Sequence, residues 1–384
     1  MLKDPLFFLC LTVGPLVYWW LPARFRARFL TLMSVAWLAT WAPFATAAVV
    51  VWTVAFVWGA PSKLRQASLM SLAVLGYLAL FKYIPPILDA FAANPFEAKV
   101  ILPLGISYYT FKLVHYAFER SRNALPEHDT WDALSWTTLF PAFTAGPIER
   151  LDHFLQHRAE EYRPSHLAHG ATRILHGLVK KLFIADTLLI AYLGDPLEVL
   201  RHGMADMTSL QAWAYVIVLY LYAYMDFAAY SDIAIGGARL FGIELGENFD
   251  WPVLAPNISL FWKRWHMSLA GFCQAYVYMP LVGRTRNPYI AIYGTFLAMG
   301  LWHGASLHWV AWGLYHATGI ALHLRWTLYK RKRKWNRWMD TSRWRHVGIV
   351  PTTLFVSGAT AITSTAPLGV GAGLALVAKL LFLG

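Results

Sequence analysis

Charge is what this chain has least of. Asp, Glu, Lys and Arg make up 14% of its 384 residues, against 58% for hydrophobic residues, and the mean hydropathy is +0.43. Soluble domains carry about 25% charged residues, and so little polar surface cannot coat a water-soluble body of this size. A soluble enzyme and a disordered chain are excluded, and an integral membrane protein with many spans is indicated. Cysteine is nearly absent: Cys10 and Cys273 stand far apart with no CxxC or Cys/His spacing, which argues against a disulfide scaffold and a zinc site. GxSxG, HExxH and P-loop strings are missing, so nothing points to a serine-elbow hydrolase, a zinc protease or a P-loop nucleotide-binding enzyme. A signal peptide is not expected either. Lys3 and Asp4 cancel, no small-residue cleavage site follows, and Arg24, Arg26 and Arg28 come after the uncharged run 5–22. That run reads as a retained first span ending in the cytoplasm.

What is abundant fits the same class. The net charge of +12 is distributed between greasy segments, as the positive-inside bias of cytoplasmic loops requires, rather than gathered into one polar domain that would bind nucleic acid. The 19 Trp, 19 Tyr and 23 Phe residues suit interfacial belts and an aromatic-lined cavity. The uncharged stretch 29–62 is too long for one helix and carries Pro43 near its middle, so a hairpin of two spans is expected. Further spans are expected near 66–81, 100–118, 182–200, 207–230 and 347–370, with two more in 287–324 meeting near a Trp-His-Gly-Ala turn. Residues 84–99 read as a loop. The apolar stretch 133–148 is short and broken by Pro141, Gly146 and Pro147, which fits a re-entrant or in-plane segment. The reading is all-α and polytopic, about ten spans plus re-entrant pieces, forming one membrane-embedded domain over 1–384 with no internal repeat.

Four places put polar groups where lipid exposure would forbid them, since a charge at the bilayer centre costs about 2.5–3.5 kcal/mol on insertion scales. Pro103 to Phe111 holds Ser107, Tyr108, Tyr109 and Thr110, either a kinked packing helix or a cavity wall. Phe140 to Arg150 ends in Glu149-Arg150, placed to close an ion pair at the membrane edge. In the third place Ser231 and Asp232, preceded by Asp226, are followed by Lys263, Arg264, Trp265 and His266. The carboxylates have a structural reading, pairing with Lys263, Arg264 or Arg239. Two cations, an aromatic plane and an imidazole together can hold a phosphate-bearing or thioester donor, although an interfacial snorkelling cluster has the same composition. The fourth place is Gly300-Leu301-Trp302-His303-Gly304-Ala305-Ser306. His303 is flanked by small residues that permit close approach, and a neutral imidazole there can take a proton from an alcohol attacking an activated carbonyl. His308, His316 and His323 share this stretch, and His316 and His323, seven apart on one helix face, read as packing or interface residues. No carboxylate accompanies them, so no metal is expected.

Together these segments resemble the membrane-bound O-acyltransferase superfamily, in particular its bacterial branch with the alginate O-acetylation and teichoic-acid D-alanylation proteins. The strings are LPLGISYYTF (102–111), FPAFTAGPIER (140–150), YSDIAIGGARLFGIELGENFDWP (230–252), FWKRWHMSL (261–269), YVYMPL (276–281) and GLWHGAS (300–306). They stand in the family's order, with the core at about 100–325. The resemblance implies a helical membrane body around a central funnel, with His303 as the catalytic histidine and His266 as the second functional one. It implies a cytoplasmic acyl thioester as co-substrate, acyl-CoA (acetyl-CoA) or an acyl carrier, with no bound cofactor. The acceptor is a hydroxyl of an extracytoplasmic polysaccharide or envelope polymer, modified together with an extracytoplasmic partner protein in a bacterial inner membrane. Lys263, Arg264, Trp265, Trp302, Asp232 and Ser231 are the candidates for the donor site or tunnel. D-alanyl transfer from a carrier protein is the alternative reaction, and a transporter or scaffold without the chemistry the alternative class. Gln274-Ala275 stand where the family usually shows an Arg-Asp pair, and the loop Val282 to Pro288 is short.

Overall fold

The computed structural model describes residues 4–84, 104–304, 306–335 and 342–383. Beyond Ile84 the loop expected at 84–99 lies outside the described residues, as do 100–103 of the span expected at 100–118 and Ala305. Among the described residues the chain is helical, and its β contact is an isolated bridge between Arg158 and Ile243. It forms two compact units, residues 1–178 with 229–247 and residues 179–228 with 248–384.

The first unit contains α1 (Pro5–Trp20), α2 (Ala23–Trp41), α3 (Pro43–Gly59), α4 (Leu64–Lys82), α5 (Ile106–Ser121), α6 (Thr130–Thr137), α7 (Leu151–Gln156) and α8 (Pro164–Leu178). The hairpin expected at Pro43 is present. Ala42 leaves helical geometry at φ −150°, and Pro43 opens α3, where its missing N–H would have been unpaired in any case. Apolar side chains lie on both sides of these helices: Phe7, Leu30, Trp37 and Val49 are buried, and large apolar residues are also exposed. Thr31, Ser34, Thr46, Thr53 and Ser71 are buried, whereas Trp20 is 84% and Phe44 92% exposed. The hydroxyls are covered because in lipid they need protein partners. Thr53 donates to Val49 O at 2.7 Å and lies 3.0 Å from the Thr137 hydroxyl, and Phe140 N donates to Ser34 Oγ at 3.3 Å. The segment 133–148 is not a span: α6 stops at Thr137, one 3-10 turn follows at Phe140–Ala142, and Leu139, Phe140 and Phe143 are buried. Irregular backbone is tolerated at such a place because protein covers it.

The second unit begins with a π-helical stretch, Val179–Leu189, and includes the first part of α9 (Ser209–Leu240). It continues through α10 (Ile258–Trp262), α11 (Met267–Cys273), α12 (Met279–Thr285), α13 (Pro288–His303), α14 (Leu307–Lys332), α15 (Ser342–Ser364) and α16 (Val370–Leu380). One expected span is redrawn. The one at 182–200 is interrupted at Gly194, whose φ of 65° ends the helix before Asp195 caps the next turn. The last one, 347–370, is present as His346–Leu368, and a further short helix, α16, follows Gly369, φ 89°. Conversely, α9 outruns the expected 207–230 and carries Ser231, Asp232 and Arg239 on helix. Leu64–Lys82, Ser209–Leu240 and His346–Leu368 are long and apolar enough to cross a membrane, with Pro5–Trp20, Pro43–Gly59 and Val370–Leu380 as shorter apolar helices.

A buried polar cluster ties the GPIER loop to the first unit. Lys112, 2% exposed, donates its Nζ to Trp136 O at 2.7 Å. Trp136 Nε1 donates to Glu149 O, and Glu149 Oε2 accepts from Gly246 N at 2.7 Å. The ion pair expected between neighbours Glu149 and Arg150 is redistributed. Glu149 lies 3.0 Å from His153 Nδ1, and Arg150 grips both oxygens of Asp152. Adjacent residues point to opposite sides of the chain as it enters α7, whereas i,i+4 residues share a face.

Both charges on α7 are tuned. The contact with Glu149 raises the His153 pKa above its ordinary 6.5, and hydrogen bonding from His115, with Arg150, holds the Asp152 carboxyl well below the usual carboxylate range. A raised histidine stabilises the fold below its unfolded pKa and loses that contribution as pH rises through its folded one. A depressed aspartate does the opposite, losing its contribution as pH falls below about 4. His153→Gln is therefore expected to flatten the decline of the thermal midpoint above pH 6.5 and leave the acid limb unchanged. A wild-type midpoint that does not fall from pH 6 to 8 relative to the variant contradicts the assignment.

Candidate functional site

In the second unit α13 and α14 form a close hairpin. A Cβ on Gly300 would lie 2.3 Å from Trp309 O, and one on Gly313 2.5 Å from Phe296 O, so only glycine allows the backbones this near. His303 is the last residue of α13 and is exposed. It stands in a tryptophan cage. Trp309 stacks on its ring at 4.3 Å and 12°, Trp302 is at 4.7 Å, and Trp312 meets it edge-on at 5.1 Å. The aromatic faces fix the ring plane.

Trp302 also faces His266, ring centroids 6.2 Å apart. His266 is 4% exposed and holds a left-handed backbone, φ 43°, as N-cap of α11. Positive φ in a non-glycine residue costs about 1–3 kcal/mol and persists only where surroundings over-determine it. Here the buried Asn248 does so: its carbonyl accepts Met267 N at 2.9 Å and its side chain accepts the Ser268 hydroxyl at 2.8 Å. Phe227 packs edge-on against the imidazole at 4.7 Å. Among the described residues His266 Nε2 has no hydrogen-bond partner, and an unmet buried ring nitrogen calls for a water or a ligand group.

The four residues Lys263 to His266 do not share one surface. Trp265 packs among Phe261, Phe249 and Tyr224, and Arg264 lies 3.7 Å from Asp250. Lys263 lines a cavity of about 480 Å³ bounded by residues of α10, α11, α13, α14 and the π-turn Gln274–Tyr278. Gln274 and Tyr278 also line it, as do Met299, one turn before His303, and His323. His323, expected to be a packing or interface residue, lines the cavity wall, while His316 is enclosed by Trp262, Phe296 and Trp312.

Ser231 and Asp232 belong to the first unit, both buried. Asp232 accepts from Arg173 Nε at 2.7 Å, and Asp226, in the second unit, lies 2.7 Å from Lys181. The carboxylates are thus paired, as their structural reading required, but with cations of the 150–181 stretch instead of Lys263, Arg264 or Arg239. Arg239 pairs with Glu244. Sequence reasoning passed over Asn248, Trp309 and Trp312. The two tryptophans share a helix face with His316 at i, i+3 and i+7, a readable signal; nothing local distinguishes Asn248.

The family model of the membrane-bound O-acyltransferases matches residues 28–345. The chain belongs to that family. The chain is 36% identical over 266 residues to a Pseudomonas aeruginosa protein named "probable alginate O-acetylase", covering 66% of this chain and 49% of that one. It is 32% identical to the teichoic acid D-alanyltransferase of Bacillus subtilis, covering 66% of each. With the peptidoglycan O-acetyltransferase of Helicobacter pylori it shares 31% identity, over 68% of this chain and 55% of the relative. The chain thus spans about half to two thirds of the length of these relatives. Family membership and the apolar helices make it an integral membrane protein.

Proposed function

We propose that residues 1–384 form a single membrane-embedded acyltransferase domain that moves an acyl group, acetyl in the leading reading, from a cytoplasmic thioester to a hydroxyl of an extracytoplasmic polymer. The carrying observation is the accessible His303 in its tryptophan cage, with His266 across Trp302. A thioester is already activated, so orientation, one proton transfer and oxyanion stabilisation suffice. His303 takes the proton of the acceptor hydroxyl as its oxygen attacks the carbonyl and the C–O bond forms. His266 supplies a hydrogen-bond donor to the tetrahedral oxyanion. The C–S bond then breaks, and the proton passes from His303 to the departing thiolate, giving ester and free thiol. Lys263 serves the donor, whereas Asp232 and Ser231 act through the structure around them. An extracytoplasmic partner protein that completes delivery to the polymer belongs to this reading.

The Bacillus subtilis relative's name favours a second reading, aminoacyl transfer from a carrier protein. Purified protein given labelled acetyl-CoA together with a hydroxyl-bearing envelope polysaccharide as acceptor is expected to release thiol, and His303→Ala to release it only at background. Turnover of a charged carrier protein but not CoA selects the second reading; turnover of neither removes the acyltransferase and leaves a transporter or scaffold. The sidedness is tested separately. A cysteine replacing Lys332 is expected to react with an impermeant maleimide only after the cytoplasmic side is opened, and labelling of intact cells from outside reverses the donor side.

A further inference from the structure

A second cavity, of about 380 Å³, lies within the first unit, lined by α8, the end of α9 and the segment that follows it. Around α8 three edges succeed one another. Gly170 and Gly177 form the packed edge: a Cβ on Gly170 would lie 2.8 Å from Gly236 O, and one on Gly177 2.7 Å from Ala229 O, so α8 is fixed closely on α9. The next edge is polar. His169, Thr172, Arg173 and His176 stand at i, i+3, i+4 and i+7 and line the cavity. The third edge is apolar and bare: Ala168, Ala171 and Leu175 are exposed, Leu175 by 59%. Arg239, Glu244 and Glu247 add charge to the cavity lining, and Ile235, Ile243 and Leu245 add apolar surface.

The charges decide what kind of guest fits. Arg173 donates Nε to Asp232 at 2.7 Å and Nη2 to Glu247 at 2.5 Å, and Arg239 pairs with Glu244. Three carboxylates are thus set against two guanidiniums, each of which keeps further N–H donors. Among the described residues the side chains of His169, Thr172 and His176 make no hydrogen bond or ion pair. Donors for a phosphate are therefore present, but an extra negative charge beside three carboxylates is disfavoured. A free phosphate or phosphatidylglycerol brings that charge uncompensated. Phosphoethanolamine brings its own ammonium, which Glu244 and Glu247 accept, while Arg239, His169 and Thr172 take the phosphate. The trimethylated ammonium of phosphocholine has no N–H to give those carboxylates. The bare apolar edge next to the polar one matches the boundary between headgroup and acyl chain, and a water-borne guest has no use for it. We propose that this cavity holds the headgroup of phosphatidylethanolamine, with an acyl chain along Ala168, Ala171 and Leu175. The site stands apart from His303 and does not rest on the acyl-transfer reading.

The test uses the full chain, delipidated in detergent, and equilibrium binding of short-chain phosphatidylethanolamine, phosphatidylcholine and phosphatidylglycerol with identical acyl chains, and of free phosphoethanolamine. The wild type is expected to bind phosphatidylethanolamine about tenfold more tightly than the other three, as one or two charge-assisted hydrogen bonds require. Glu244→Gln with Glu247→Gln is expected to erase the preference over phosphatidylcholine; the ratio is read, so a general weakening does not imitate it. His169→Ala with Thr172→Ala removes no internal partner from an exposed edge and is expected to keep the thermal midpoint while weakening phosphatidylethanolamine severalfold. Leu175→Asn is expected to weaken the lipid and leave phosphoethanolamine unchanged. Equal binding of the three lipids, a preference that survives the double Gln variant, or a His169 and Thr172 variant without effect overturns the proposal. So does phosphoethanolamine binding as tightly as the lipid with Leu175→Asn neutral, which assigns the cavity to a water-borne ligand.

Discussion

His303→Ala is expected to lower thioester turnover by about 10²–10⁴-fold, the range a positioned general base contributes, with little change in donor KM. The reasoning is geometric. The imidazole closes α13 and is exposed, and Trp302, Trp309 and Trp312 hold its plane from three directions. In the proposed mechanism, removing it deletes the proton acceptor and leaves the tryptophan cage in place. His303→Gln keeps hydrogen-bonding capacity and loses basicity, so it should be nearly as inactive. A Gln variant retaining most of the rate would mean that the ring orients rather than accepts. His266→Ala should cost less than His303→Ala, because it removes an oxyanion donor while the base stays. Rates for the two single variants and the double variant, compared with thermal midpoints, separate catalytic loss from unfolding.

Gly300→Val is expected to be the most disruptive single substitution in the second unit. The added Cβ would meet Trp309 backbone at 2.3 Å, well inside contact distance. Backbone cannot rotate away as a side chain can, so α13 and α14 must separate and carry Trp309 off His303. Overpacking of this kind costs about 1–3 kcal/mol or more. The expected result is a lowered thermal midpoint, a fall in folded yield, and loss of turnover in whatever folds. Gly271→Ala is the matched control: nothing lies within 4 Å of its added Cβ, and replacing a helical glycine stabilises by about 0.4–1 kcal/mol through the unfolded chain. If Gly300→Val and Gly271→Ala melt alike, the close hairpin is not what holds this unit.

Sparse charge and long apolar runs made the membrane helices readable, because hydrocarbon admits few backbone solutions. Pro43 and the broken 133–148 stretch were readable for the same reason: proline and glycine act on their own neighbours. The GLWHG and KRWH strings marked His303 and His266 by residue type, but not the Asn248 bracket that holds the backbone at His266. Charge partners were the least legible. Asp232 and Asp226 were rightly read as paired groups, yet Arg173 and Lys181 are chosen by which helices pack side by side, and no local spacing records that. Nor did composition distinguish Lys263, which reaches the cavity, from Trp265, which packs among aromatics. The amino-acid order by itself determined the class of protein and its helices and singled out the two histidines as candidates, since those depend on hydropathy and on neighbours along the chain. Only the tertiary structure decided which face each side chain presents, because that depends on groups brought together from distant segments.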